Sequence, residues 1–396
     1  METQQQVKEQ GQGDSPATTG GRLMNEFIPI SKPFLGEEEI QAATEVLRSG
    51  WITTGPKCAE FEKTIAAYTG AGFALTLSSG TAGMHIVLNA LGIGAGDEVI
   101  TPSLTFASTV NQIVLAGARP VFADIDYDTL LVRPDAVEKC ITGRTRAIIP
   151  VHFAGAPADM GALESVAGAI PIIEDAAHAI GTYYRGRHIG HRHSAIFSFH
   201  PIKNITTGEG GMVTASDGEL IQKLRLQRFH GIERDAWKRY GKASDPTYDI
   251  LQPGFKYNMT DLQAAIGIAQ FKKIPAITKR RSGIAGQYLE QLSHIEGLDL
   301  PGVPPYDHGH AWHLFVVKVT SMDRRAFMEA LAEKNIGYGL HFPACHTLTY
   351  VERLFGKTEL PVTEAVADKI ISLPLYPGMD DVQVQRVIDA VREILG

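Results

Sequence analysis

From Phe73 to Val213, short apolar runs alternate with longer amphipathic stretches. Phe73 to Leu77, Glu98 to Thr101, Pro120 to Ala123, Ala147 to Val151, Ile172 to Glu174 and Ala195 to Phe199 have the length and composition of strands, and the segments between them have the length of helices. Strands separated by helices need crossover connections, which are right-handed, so the pattern predicts an α/β fold with a mostly parallel central sheet flanked by helices. After about Thr278 the pattern changes to longer helices and a few strands. Val384, Val387, Ile388, Val391 and Leu395 recur at three- and four-residue spacing and predict one apolar face on the last helix. Trp312 to Val319 reads as a core strand. The expected organisation is a disordered leader over residues 1–24, a large domain over 25–277 and a smaller C-terminal α/β domain over 278–396.

In a parallel sheet the carboxyl ends of the strands share one edge, where ligands bind. Three segments with chemical potential fall at or just beyond such ends. The first is Phe197 to Gly211, where Lys203 stands between an apolar strand and a glycine-rich turn. A lysine held rigidly and partly out of water has a lowered pKa and a free lone pair, as an amine that attacks an aldehyde requires. The second is Ile172 to His178, in which an apolar run ends in Asp175; a carboxylate there can hold a protonated pyridine nitrogen. The third is Leu77 to His85, a strand followed by Ser78-Ser79-Gly80-Thr81-Ala82. Small side chains at a helix start let backbone N–H groups approach a phosphate. Each segment alone has a plainer reading: a surface lysine, a helix-capping aspartate, an ordinary strand-to-helix turn. No GxxxxGK[ST] motif occurs, and no GxGxxG follows the first strand, which weighs against nucleoside triphosphates and dinucleotides.

Composition narrows the classes further. The chain has 396 residues, 44% hydrophobic and 20% charged, enough for a large core. A net charge of −7 argues against a general affinity for nucleic acid or acidic membrane. Cys58, Cys140 and Cys345 are odd in number and share no CxxC spacing, so neither a disulfide framework nor a zinc site is expected, and a reducing, cytoplasmic setting fits. No segment has the length of an apolar membrane span. His188, His191 and His193 lie close together without a carboxylate or cysteine at ligand spacing; a solvated turn is expected there and no metal. Asp235 to Pro253 reads as a long loop near substrate or a dimer contact.

The phosphate turn, strand-end aspartate and lysine segment, in that order, resemble the pyridoxal-phosphate (PLP)-dependent nucleotide-sugar aminotransferases of fold type I, from about Phe27 to the C-terminus. Within that group Gly50 to Pro56, Ser79 to His85, Ile100 to Thr105, Pro150 to Asp159 and Ala311 to Phe315 resemble the enzymes that make UDP-4-amino-4-deoxy-L-arabinose, which serves lipid A modification. The resemblance implies PLP as cofactor, with L-glutamate and a UDP-linked 4-keto sugar as substrates. It implies that Lys203 forms the Schiff base and then moves the proton, and that Asp175 partners the pyridinium. Phe106 matches the position of a stacking aromatic, filled by Trp in the relatives compared. Gly80, Thr81, Ala82 and Ser198 match phosphate-holding positions, and His178 matches a residue near the cofactor's phenolic oxygen. Asn258 matches an asparagine that reaches the neighbouring subunit's phosphate, which implies a homodimer with shared sites. His341 and His313 match the substrate side. Dehydratases of the same family replace the lysine by histidine, which Lys203 speaks against; other nucleotide-linked 4-keto-6-deoxy sugars remain alternative acceptors.

Overall fold

The computed structural model describes residues 26–233 and 247–396. The expected leader, 1–24, and residues 235–246 of the expected Asp235–Pro253 loop lie outside the described residues.

The main sheet is built from β1 (Phe73–Leu77), β2 (Glu98–Pro102), β3 (Arg119–Ala123), β4 (Thr145–Ile148) and β5 (Ile173–Asp175). After a small hairpin of β6 (Tyr183–Tyr184) and β7 (Arg187–His188), it continues with β8 (Ser194–Ser198) and β9 (Gly211–Ala215). Pairing gives the orders β3-β2-β4 and β1-β9-β8-β5. Parallel bridges Ile148–Ile172 and Val151–Asp175 join the two edges into one surface. β3, β2 and β4 are parallel, as are β5 and β8, whereas β9 runs antiparallel to both β8 and β1. Helices cover both faces, so β2 and β9 are buried along their whole lengths, as expected of strands covered on both sides.

A second core gathers Ile28 with Ile284, Tyr288, Phe315, Phe327, Leu331, Val384, Val387 and Ile388. Its sheet joins β10 (Leu298–Asp299), β12 (Phe315–Val319) and β13 (Ile370–Leu373), all antiparallel, while β11 (His308–Gly309) pairs with β6. The helix Asp381–Leu395 buries Val384, Val387, Ile388 and Val391, with Leu395 half-buried, as its periodicity predicts. Arg281, fully buried in the helix Ile274–Leu292, donates through Nη1 to the carbonyls of Trp312 (3.1 Å), His313 (3.2 Å) and Leu375 (3.0 Å).

Three expectations need correction. β9 was not foreseen, because a strand that begins on glycine and follows a glycine-rich turn gives little hydrophobic signal. In the Trp312–Val319 run only Phe315–Val319 is strand. Trp312 takes a left-handed backbone (φ 45) and stacks on His310 at 3.8 Å, so the chain bends before β12 and delivers His313 elsewhere. His188 is buried rather than solvated. Its ring packs against Tyr68 and Phe197, and its two nitrogens meet Gly181 N and the Ile189 carbonyl. His191 bonds to the His188 carbonyl and His193 to Glu164, and no metal-holding group of side chains occurs among the described residues.

Candidate active site

β8 ends at Ser198, and the following loop is tied back onto it. Phe199 N donates to Gly210 O (2.9 Å), Thr207 N to Phe199 O (3.0 Å) and Lys203 N to His200 O (2.9 Å). These bonds fix the backbone from which Lys203 projects. Removal from water pushes the Lys203 amine down to about 8, and nearby Asp175 opposes the fall. Near neutral pH a far larger share of this amine than of an ordinary lysine is therefore unprotonated.

Asp175 closes β5 and is 9% exposed. Its Oδ2 accepts from Thr109 Oγ1 at 2.6 Å and its Oδ1 from Ala177 N at 3.2 Å. The backbone on either side is locked to the neighbouring strand by Asp175 N to Pro150 O (2.9 Å) and His152 N to Asp175 O (3.1 Å). Beneath it His152 Nε2 meets Glu174 Oε2 at 2.9 Å in the buried interior. The strand-end geometry thus presents one carboxylate, already oriented, to the edge where Lys203 lies.

Three histidines complete this side. The rings of His178 and His313 are 4.3 Å apart, and Phe342 stacks over His178 at 5.9 Å. Burial holds both imidazoles well below the ordinary histidine range, with the Lys203 charge adding to the effect. His341 bonds through Nδ1 to Ser372 Oγ at 2.8 Å and is pushed down to about 4 by burial and then by Lys203. The chain bend at Trp312 brings the His313 ring against His178, and all three imidazoles sense the Lys203 charge.

The other side is open. Ser79 caps the helix Gly80–Ala90, accepting from Ala82 N at 3.0 Å. Thr81 is exposed, and its Oγ1 lies 2.8 Å from Ser108 Oγ in the first turn of the helix Ala107–Leu115. A Cβ at Gly80 would lie 3.3 Å from Ser198 Cβ, so the absence of a side chain lets the turn and the end of β8 close together. A Cβ at Gly211 would overlap the Ser79 carbonyl carbon and Gly80 nitrogen. Ala82 is buried, Ser198 half-buried. Phe106 is 60% exposed, with Phe342 at 5.6 Å. Asn258 does not join this group. Its Nδ2 donates to Thr54 Oγ1 (2.6 Å), its Oδ1 accepts from Lys256 Nζ (2.6 Å), and it lines a cleft of about 230 Å³ with Arg225, Arg228 and Phe229.

These residues fit a phosphorylated pyridine aldehyde. A capped helix start with small residues suits the phosphate, Asp175 a protonated ring nitrogen, the exposed Phe106 a ring face and the Lys203 amine an aldehyde. Among the described residues His178 Nδ1 and His313 Nε2 are buried without any hydrogen-bond partner, a costly state that a bound polar group relieves. Sequence reasoning missed Thr109, Ser108, Phe342 and Asn204. Thr109 and Ser108 reach the site only through tertiary contacts, at 66 residues from Asp175 and 27 from Thr81. Asn204 was signalled only by its place next to Lys203.

Comparison with known proteins agrees with this geometry. Residues 33–392 match the model of the DegT/DnrJ/EryC1/StrS aminotransferase family. DesV of S. venezuelae, solved in complex with a ketimine intermediate, is 36% identical over 93% of this chain and 99% of its own, with a TM-score of 0.83. Spr1654 of Streptococcus pneumoniae, assigned as a sugar aminotransferase and solved in its PLP form, is 31% identical over 93% of this chain and 100% of its own, with a TM-score of 0.86. PseC of Helicobacter pylori, an aminotransferase of pseudoaminic acid biosynthesis, is 26% identical over 93% and 99%, with a TM-score of 0.87.

Proposed function

We propose a substrate and a division of labour on one premise: the chain belongs to the DegT/DnrJ/EryC1/StrS aminotransferase family and is a PLP-dependent aminotransferase. The reaction we assign is transfer of an amino group from L-glutamate to the 4-keto carbon of a UDP-linked sugar. The acceptor is UDP-4-keto-pentose and the product UDP-4-amino-4-deoxy-L-arabinose. The observation that carries the chemistry is the Lys203 amine, poised near pH 8 beside Asp175 at one edge of the sheet. Support for the pentose comes from the segments Gly50 to Pro56, Pro150 to Asp159 and Ala311 to Phe315.

When bound, the cofactor supplies an aldehyde carbon and an electron-withdrawing ring. Lys203 would be the amine that holds that carbon and, when free, would carry a proton between its Nζ and the amino-bearing carbon of the substrate. Asp175, oriented by Thr109 and Ala177 N, accepts a hydrogen bond from the ring nitrogen and keeps it protonated. Ser79 holds the turn formed by Gly80, Thr81 and Ala82 in shape for the phosphate, with Ser198 alongside. Phe106 covers one ring face, and His178 sits by the phenolic oxygen. His341 and His313 face the sugar side. Asn258, placed away from Lys203 within its own chain, serves the phosphate of a neighbouring copy, which makes the working unit a homodimer.

The deciding assay supplies the purified enzyme with L-glutamate and a panel of UDP-, dTDP- and GDP-linked 4-keto sugars, with products identified by mass. A UDP-4-keto-pentose is expected to show the highest kcat/KM. A 4-keto-6-deoxyhexose that outcompetes it would move the enzyme to another branch of the family with its chemistry intact.

A further inference from the structure

Phe106 stands directly before the helix Ala107–Leu115 and is 60% exposed, so little packing of its own holds the ring. Among the described residues one other ring lies near it, that of Phe342, with centroids 5.6 Å apart and planes tilted by 51°. Phe342 is half-buried and is held on further sides. Its ring stacks on His178 (5.9 Å, 27°) and meets Phe153 edge-on (6.3 Å, 79°).

The backbone fixes the same pair. Before Phe342, Gly339 N donates to Ser372 O (3.1 Å), Ser372 N donates to Gly339 O (2.8 Å) and His341 Nδ1 meets Ser372 Oγ at 2.8 Å, so the segment is tied to β13. After it, Cys345 N donates to Ser103 O (2.9 Å), His346 N to Ser103 Oγ (3.0 Å) and Cys345 Sγ to Thr105 O (3.3 Å). Ser103 and Thr105 lead straight into Phe106. Phe342 and Phe106 therefore hang from one clip, and their rings meet beside it.

We propose that Phe342 is a positioning residue for the cofactor: it holds the Phe106 ring in the orientation that covers one face of the bound pyridine. The inference rests on the reading above that Phe106 covers that face. An exposed ring free to change rotamer must be ordered when a ligand binds, and that ordering weakens binding. A ring already held by a neighbour loses less. Tilted aromatic rings at this separation attract each other beyond what burial of area gives, so the pair itself supplies the hold. Contacts with His178 and Phe153, together with the two backbone anchors, make Phe342 rigid enough to act as a buttress. Position 342 thus joins the buried side of the site at His178 to the open side at Phe106.

The test is a double-mutant cycle on the full chain freed of cofactor, with pyridoxamine phosphate as the probe because it has no aldehyde for Lys203 to attack. Its Kd is read from the fluorescence of the ligand. Phe106→Ala is expected to raise the Kd about two- to tenfold. Phe342→Leu keeps an apolar side chain but removes the ring; it is expected to raise the Kd about two- to fivefold, and less than about 1.5-fold when position 106 is already alanine. Equal increases in the two backgrounds would show that Phe342 acts through His178 or through the fold, and would overturn the proposal. So would an unchanged Kd in Phe342→Leu. An unchanged Kd in Phe106→Ala alone would instead remove the reading of Phe106 beneath the proposal, and the proposal with it. Fluorine NMR covers the case in which Phe342→Leu does not fold. In the wild-type chain labelled with para-fluorophenylalanine and freed of cofactor, the Phe106 line is identified by its loss in Phe106→Ala. It is expected to be displaced from the position of the free amino acid by the neighbouring ring, and a line at that position would overturn the proposal.

Discussion

The two ends of the candidate site are built on opposite physical plans. Around Lys203 the side chains of Asp175, His178 and His313 are buried, and loss of water shifts the pKa of the lysine and of the two histidines. Around Thr81, Ser108 and Phe106 the surface is open, and Asn258 lies elsewhere on the chain. The difference separates two tasks. Proton and amine chemistry need groups whose charge is tuned before any ligand arrives, and a dry pocket does that. Holding a phosphate needs accessible donors, which a second chain can supplement.

The sharpest test of the dry end is Lys203→Ala. Loss of both covalent attachment and the proton-moving amine is expected to cost more than the ~10²- to 10⁴-fold typical of a general base alone, measured as turnover with glutamate and keto sugar. Activity within tenfold of wild type would remove the distinction between the two ends.

Acid stability probes the same end through its histidines. The folded pKa of His341 lies at about 4, below the ordinary 6.5, and those of His178 and His313 are also depressed. Below about pH 6.5 the unfolded chain takes up protons that the folded chain refuses. Stability is therefore whole above that pH and falls toward pH 4, by about 1.4 kcal/mol per pH unit for each such group. Urea midpoints at pH 7, 6 and 5 should decline less steeply in His341→Gln. An unchanged slope would mean that the site is wetter than its geometry indicates.

The open end is probed by mixing. If Asn258 serves a neighbour's phosphate, Lys203→Ala and Asn258→Ala subunits are each poor alone. Mixed dimers gain activity, since one site carries both defects and the other neither. Refolded mixtures no better than their parents, with mixed dimers confirmed by mass, would place the whole site within one chain. The smallest effect is expected for Phe106→Ala, which removes a ring contact contributing about 0.5 to 1.5 kcal/mol beyond area burial. Its readout is PLP affinity, and an unchanged affinity would show that Phe106 has no part in binding.

Much of this arrangement was legible in the sequence because the relevant signals are local. β1, β2 and β3 fall within a residue or so of their apolar runs, and Asp175 and Lys203 stand at boundaries that hydrophobic patterning marks directly. What stayed hidden depends on tertiary closure. Thr109 reaches Asp175 across 66 residues, and Arg281 gathers three carbonyls from two distant segments. No periodicity encodes such contacts. His188 misled for a related reason: its polar neighbours suggest solvent, yet aromatic rings and two backbone partners bury it. Position 313 was folded into a strand pattern because apolar residues flank it, while the left-handed Trp312 that turns it away leaves no compositional trace.

The contact between β9 and the turn at Ser79–Gly80 has a bearing on how this protein can vary over generations. The hydrogen at position 211 is the only substituent that fits between the strand and the backbone of that turn, since a methyl group would overlap Ser79 and Gly80 at once. Any lineage that keeps β9 in this register has a single residue open to it there. The neighbouring Met212 and Val213 fill apolar space and can trade volume with the side chains they meet. A saturation library across 211–213, selected for holoenzyme, should therefore return glycine alone at the first position and a range of apolar residues at the other two.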